Sequence, residues 1–221
     1  MATLAKLKHV IWDWNGTLLD DAWLCVLVVN QLLESRGLPA LTMAQYQEVF
    51  DFPVKDYYLR IGFDFSREPY DQLAQEFIEA YERRRLQCRL QPHARQAIQL
   101  LCARGIEQSV LSAYRQSSLH ELIVHYGLEG LFTHVVGVQD QYAHGKLDLG
   151  RALADQLGPD KTGIVLVGDT THDFEVATAM GIACLLVPSG HQSRARLEAC
   201  GTSVLDSLQD LAGVVEQEGN S

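Results

Sequence analysis

No stretch of the sequence reaches the roughly 18 consecutive apolar residues that a membrane-crossing helix needs. The longest candidate, residues 22–29, stops at Asn30 and Gln31. A basic excess is missing too: 18 Lys and Arg stand against 28 Asp and Glu, a formal net charge of -10. That balance argues against a nucleic-acid partner, because phosphate backbones are held by surplus Lys and Arg. A small anionic substrate remains compatible with it, since a bound metal supplies local positive charge. The five cysteines form no C-x-x-C pair, and their odd number speaks against a complete disulfide framework. Buried free thiols in a reducing, cytoplasmic compartment are expected. The first residues lack the apolar run of a secretory signal, and no fixed-period repeat or low-complexity tract appears.

What is there is ordinary globular composition, 47% hydrophobic and 21% charged over 221 residues. That is enough chain for one core carrying a smaller domain. Short apolar runs bounded by breakers predict strands at 9–12, 108–111, 134–138, 164–167 and 182–187. Their near-continuous apolar character fits a parallel sheet covered on both faces. Helical spacing separates them at 93–104, 149–157 and 174–180, each ending near a glycine. Alternating strand and helix predicts an α/β fold with an open, doubly wound parallel sheet. One region breaks the pattern. From Asp20 to about Arg89 no strand is predicted, only helices at 23–33, 43–50, 55–61 and 70–86. This suits a small helical bundle inserted after the first strand. The expected division is a core of 1–19 and 90–221 around an all-helical cap of 20–89.

Ligands of such sheets bind beyond the carboxyl ends of the strands. The first strand delivers Asp13 to that edge and the strand 164–167 delivers Asp169. Asp173, four residues on, would share a helix face with Asp169 if a helix began there. Converging carboxylates raise one another's pKa unless a cation lies between them, and hard oxygen ligands suit magnesium. Lys146 adds a fixed cation; Ser112 adds a hydroxyl, with the backbone N–H of Ala113 beside it. A nucleophilic carboxylate, a metal site, a cation and a hydroxyl are the parts that position a phosphoryl group and neutralise its charge.

In this order the residues resemble the four motifs of the haloacid dehalogenase-like hydrolases. Residues 13–20, Asp-Trp-Asn-Gly-Thr-Leu-Leu-Asp, are similar to D-x-D-G-T-L-x-D. Ser112 matches the second motif. Lys146 matches the third, although the usual K-P-D-P reads Lys-Leu-Asp-Leu. Residues 168–173, Gly-Asp-Thr-Thr-His-Asp, match G-D-x-x-x-D. By overall pattern the chain is most similar to the phosphoglycolate phosphatase-like subgroup. The resemblance implies a magnesium-dependent phosphatase of a small phosphorylated metabolite, with an aspartyl-phosphate formed on Asp13. Mg2+ would be held by Asp13, the Asn15 carbonyl and Asp169, with Asp173 orienting neighbours. Ser112, Ala113 and Lys146 would hold the phosphate, and Lys55, Tyr58 and Arg60 of the cap would meet a second anionic group. A monomer or homodimer is expected.

The departure is Asn15. The family's general acid and base stands there, and an amide cannot transfer a proton. Loss of such help costs roughly 10²–10⁴ in rate. Three outcomes are open: a leaving group that departs unprotonated, such as an acyl phosphate or anhydride; another proton carrier, His172 by position; or a slow or binding-only protein. Phosphonate-cleaving relatives carry D-W-A-G-T and need a cap lysine, for which Lys55 is the one candidate. The Asn15-Gly16 pair also suggests slow deamidation to the missing carboxylate. His191, Arg194 and Arg196 could rim the site, but they are expected on the surface.

Overall fold

The computed structural model describes residues 7–139, 145–211 and 213. Strand β1 (His9–Trp12) lies between β4 (Glu107–Arg115) and β6 (Ile164–Gly168), pairing in parallel with both. The main sheet continues outward through β5 (His134–Val138) on one side. On the other it continues through β7 (Ala183–Leu186) and β8 (Ser203–Val204), giving the order β5-β4-β1-β6-β7-β8. The chain builds one half from β1 outward, then returns beside β1 to build the other. That reversal opens a crevice at the carboxyl ends of β1, β4 and β6.

Alternating residues of these strands feed two cores. Val10, Trp12, Val165, Val167 and Leu185 face one cluster, with Leu24, Val28, Ile98, Leu101 and Leu119 from helices packed on that side. Ile11, Leu166 and Leu186 face the other, with Leu153, Val176, Ala177 and Leu197. The helices are α1 (Ala22–Ser35), α5 (Ala94–Ala103) and α6 (Gln116–His125) for the first cluster. α7 (Lys146–Gln156), α8 (Thr171–Met180) and α9 (Arg194–Glu198) serve the second. Burying each Val, Leu or Ile contributes about 1.5–3 kcal/mol. A charge at Val10 or Ile11, both fully buried on β1, would break the sheet at its centre. Trp12 keeps its polar edge satisfied by donating from Nε1 to Gln108 Oε1 at 2.9 Å.

The segment read as purely helical contains α1, α2 (Met43–Val49), α3 (Val54–Arg60) and α4 (Tyr70–Glu82). Two short strands bound it, β2 (Leu19–Asp20) and β3 (Arg89–Leu90), paired antiparallel. Two-residue strands leave no periodicity to read. Helix α2 starts on a reciprocal capping box: Thr42 Oγ1 accepts from Gln45 N, and Gln45 Oε1 accepts from Thr42 N. The α2–α3 region docks on the core through backbone groups. Gln47 Nε2 donates to Gly190 O at 2.9 Å and Gln192 Nε2 donates to Phe50 O at 3.1 Å. Arg196 also donates to Phe50 O and pairs with Asp51 at 3.2 Å. Arg196 is thus a tether between elements rather than a surface residue, while Arg194 stays on the outside, pairing with Asp206 and Glu198. All five cysteines are free; Cys102 is exposed, Cys200 intermediate and the others buried.

Candidate active site

β1 ends and Asp13 follows at once, its backbone N–H donating to Val167 O at 2.9 Å. The bond locks Asp13 to the neighbouring strand and aims its side chain into the crevice. β6 delivers Asp169 in the same way. Thr170 then caps α8, its backbone N–H and hydroxyl both donating to Asp173 Oδ2, at 3.0 and 2.7 Å. Asp169 and Asp173 therefore do not share a helix face: Asp169 precedes the cap, and Asp173 reaches back to it from the first turn. Helix α7 begins earlier than its apolar pattern suggests, and its first residue is Lys146. Buried Lys146 donates from Nζ to Asp13 Oδ1, and to Asp173 Oδ1 at 2.5 Å.

Asp13, Asp169 and Asp173 each offer a carboxylate oxygen, and the three atoms lie within 4.8 Å of one another. All three side chains are buried. Burial pushes Asp13 well above the usual carboxylate range; Lys146 pulls it back, and the charges of Asp173 and Asp169 add to the rise. Burial likewise lifts Asp169 to about 6 against the pull of His191. Burial works against Asp173 as well, but Lys146 and Thr170 outweigh it and hold Asp173 low. Lys146 is kept charged, since Asp13 and Asp173 overcome the cost of burying it. One ammonium faces three clustered carboxylates, so the donor set suits a hard divalent cation.

Glycines close the far wall. Gly16 has φ +77, and a Cβ there would fall 2.2 Å from Asp169 Oδ2; one on Gly190 would fall 2.1 Å from the same atom. Asp169 is therefore packed against bare backbone and held by hydrogen bonds. Thr17 Oγ1 donates to its Oδ1 at 2.9 Å and the His191 N–H to its Oδ2 at 2.7 Å.

A second layer surrounds Asn15. Its Nδ2 donates to Asp21 Oδ2 at 2.8 Å and to Tyr81 Oη at 2.9 Å. Tyr81 donates to the same Asp21 oxygen at 2.7 Å, and Gly16 N–H donates to Asp21 Oδ1 at 2.8 Å. Both amide hydrogens of Asn15 are committed, leaving its Oδ1 as an acceptor. The Gly16 nitrogen, which deamidation would need as nucleophile, is engaged as well. Asp21 is fully buried; burial pushes its pKa up, but His191, Asn15 and Tyr81 bring it below the ordinary value. His191 Nε2 lies 3.5 Å from Asp21 Oδ1 and its Nδ1 is hydrogen-bonded to Tyr46 at 2.9 Å. Burial opposes the imidazolium, yet Asp21 raises His191 to about 9. His191 belongs to the site, contrary to its expected surface placement.

These residues open on a cavity of about 510 Å³. Asp13, Asn15, Ser112, Ala113, Lys146, Asp173, His172 and Tyr58 all line it, whereas Asp169 does not and packs against Gly16 and Gly190. Ser112 is buried in the irregular part of β4, accepting from Tyr114 N–H at 3.0 Å. His172 sits against Phe52, ring centroids 4.7 Å apart, with Nδ1 at 3.1 Å from Glu175. Lys55 and Arg60 are not among the lining residues. Lys55 lies over the Phe65 and Tyr70 rings, and Arg60 pairs with Asp51. Thr17, Asp21, Tyr46 and Tyr81 were not singled out from sequence for this site. Two of them left a signal: Thr17 stands inside the first motif, and Asp21 is the carboxylate immediately after it. The motif was read as ending at Asp20, whose carbonyl accepts from Trp23 instead.

Residues 10–187 match the family described as haloacid dehalogenase-like hydrolase. The chain belongs to that family. It is 23% identical over 216 residues to a phosphoglycolate phosphatase of Synechococcus elongatus, covering 96% of this chain and 98% of the relative. A phosphoglycolate phosphatase of Xanthomonas campestris is 27% identical over 190 residues, covering 84% of this chain and 85% of that protein. Among solved structures, a haloacid dehalogenase-like protein from Agrobacterium tumefaciens superposes with a TM-score of 0.80 at 21% identity, over 97% of this chain and all of that one. The α/β core and the phosphoglycolate phosphatase-like subgroup expected from the four motifs are both upheld. The chain is a hydrolase of the phosphatase kind, and no helix among the described residues is long and apolar enough to cross a membrane.

Proposed function

We propose that the chain is a magnesium-dependent phosphomonoester hydrolase acting on a small phosphorylated metabolite through an aspartyl-phosphate on Asp13. The observation that carries this reading is the buried cluster of Asp13, Asp169 and Asp173 around Lys146. Asp13, Asp169 and the Asn15 carbonyl would hold Mg2+, with Asp173 fixing Lys146 and the loop. Bound there, the ion would neutralise phosphate charge. Asp13 attacks phosphorus from a fixed direction, because Val167 and Lys146 restrain its backbone and one of its oxygens. Lys146, the Ser112 hydroxyl and the Ala113 N–H hold the phosphoryl oxygens. Water then cleaves the acyl phosphate and regenerates Asp13. Residues 20–89 act as the cap, and 1–19 with 90–221 as the core. The proposal includes a cytoplasmic protein acting as a monomer or homodimer.

A second reading, a member with reduced catalysis that binds a phosphometabolite or partner, is favoured by one observation: Asn15 has both amide hydrogens tied to Asp21 and Tyr81. Phosphonate cleavage gains no support, because Lys55 lies off the cavity lining. A magnesium-dependent phosphate-release screen beside Asp13→Asn and Asn15→Asp separates the two readings. Release that disappears in Asp13→Asn supports the hydrolase. A silent natural protein with an active Asn15→Asp variant supports the second reading.

A further inference from the structure

We propose that the phosphate monoester cleaved here is an aryl phosphate, whose ring lies in the cavity beneath helices α3 and α4. The inference rests on the hydrolase reading and deepens it. Two independent observations converge on it.

The first is the wall of the cavity. Phe50, Phe52, Tyr57, Tyr58, Phe77 and Ile78 contribute to it, and no lysine or arginine between residues 20 and 89 does. Of the basic side chains that remain among the described residues, Lys146 is committed to Asp13 and Asp173, and His191 to Asp21. His172 lies against Glu175, and Arg115 lines the cavity from the end of β4. Away from Arg115, under helices α3 and α4, a carboxylate or second phosphate beside the ester would have to desolvate its charge against aromatic carbon. A ring would meet edges and faces it packs against favourably. About 510 Å³ is within the ordinary range of small-molecule sites.

The second observation is the chemistry available to the departing oxygen. Asn15 occupies the general-acid position with both its hydrogens engaged, so it has no acidic proton to give. As Asp13 forms its bond to phosphorus, the bond from phosphorus to the ester oxygen breaks and that oxygen leaves with the electron pair. An alkoxide does so only as the conjugate base of an acid nearly as weak as water, far above the phenol range. A phenolate does so at a conjugate-acid pKa of roughly 10, as for tyrosine, and takes its proton afterwards from solvent. Water then attacks the aspartyl-phosphate, Asp13 leaves as carboxylate, phosphate is released and one proton passes to solvent. An aryl group thus satisfies the wall and the missing acid together. Acyl phosphates meet only the second requirement.

The test uses the full chain with Mg2+ and compares kcat/KM for substituted phenyl phosphates, 2-phosphoglycolate, glycerol phosphate and acetyl phosphate. The expected result is that phenyl phosphates exceed the alkyl esters by at least about 10²-fold, the lower end of what a positioned acid supplies. Within the phenyl series, log kcat/KM should fall steeply as the leaving group becomes more basic. Asn15→Asp should narrow the aryl–alkyl gap, and Phe77→Ala should raise KM for phenyl phosphate several-fold. Alkyl esters cleaved as well as aryl ones, or acetyl phosphate preferred tenfold, would overturn the proposal while leaving a phosphatase. Absence of turnover on every ester, together with no beryllofluoride adduct at Asp13 by fluorine NMR, would overturn the hydrolase reading itself.

Discussion

Asn15 donates to Asp21 Oδ2 at 2.8 Å, so the amide at the general-acid position is matched to a buried carboxylate that accepts from it. Restoring the family's carboxylate by Asn15→Asp would place two acids in contact beside the fully buried Asp21, and one of them must hold a proton. The folded state then binds a proton that the unfolded chain, with aspartate near 3.9, releases. The variant's stability deficit should therefore grow as pH rises, to on the order of 2 kcal/mol at pH 8. Urea unfolding at pH 5 and pH 8 measures it, and Asp21→Asn in the same chain should remove most of the pH dependence.

Asp13→Asn should abolish phosphate release and leave Tm unchanged or a few degrees higher. Burial and two neighbouring carboxylates disfavour the Asp13 charge despite Lys146, so a neutral amide relieves a functional site of strain it carries for chemistry. Calorimetry beside a phosphate-release assay decides it; a Tm fall of more than a few degrees would contradict the electrostatic account.

His191 and Asp21 form a buried pair in which the imidazolium is favoured up to about 9. For a histidine raised above its unfolded value near 6.5, the stabilisation is fully present below that value. It is lost as pH climbs through about 9. The stability difference between the natural protein and His191→Gln should therefore be on the order of 3 kcal/mol near pH 6 and shrink steadily toward pH 10. Denaturant titrations in the presence of a chelator isolate this effect from metal binding.

Asp169 is held between Thr17, the His191 N–H and two glycines. Asp169→Asn should cut divalent-ion affinity at least about tenfold while keeping the fold, since the amide fits the same space. Isothermal titration with Mg2+ or Mn2+ reads the change directly, independent of turnover.

Arg196 donates to Phe50 O and pairs with Asp51. Arg196→Ala should quicken amide hydrogen exchange at the end of α2 and the start of α3, leaving β1 and β6 protected.

Much of this arrangement was legible beforehand, and the reason is local. Strands such as His9–Trp12 and His134–Val138 are apolar runs with sharp ends, and α1 to α4 carry helical spacing of their own. Asp13, Lys146, Asp169 and Asp173 stand at fixed distances from such ends, so the pattern that names the strand also places the carboxylate. Helix α6 and strand β8 escaped notice: Gln116–His125 mixes polar residues with few apolar ones, and Ser203–Val204 is two residues long. His191 could not be assigned from its neighbours, because its role comes from Tyr46, Asp21 and Asp169, groups far apart in the chain that only folding gathers. The wall of five aromatic residues and Ile78 was invisible for the same reason. Apart from Tyr58, which was expected to meet an anionic group and instead joins this wall, each member reads as an ordinary core residue of a helix or loop until the crevice is built beneath it.

Tyr81 belongs to α4, yet its hydroxyl is shared by Asp21 and Asn15. A swing of α4 away from the sheet would strip one donor from that carboxylate and one acceptor from that amide at a single stroke. Opening the lid would thereby free an amide hydrogen beside the reaction centre, and shutting it would lock that hydrogen away again. Closure and the polarity felt by a departing oxygen would then be one event, written through a phenol.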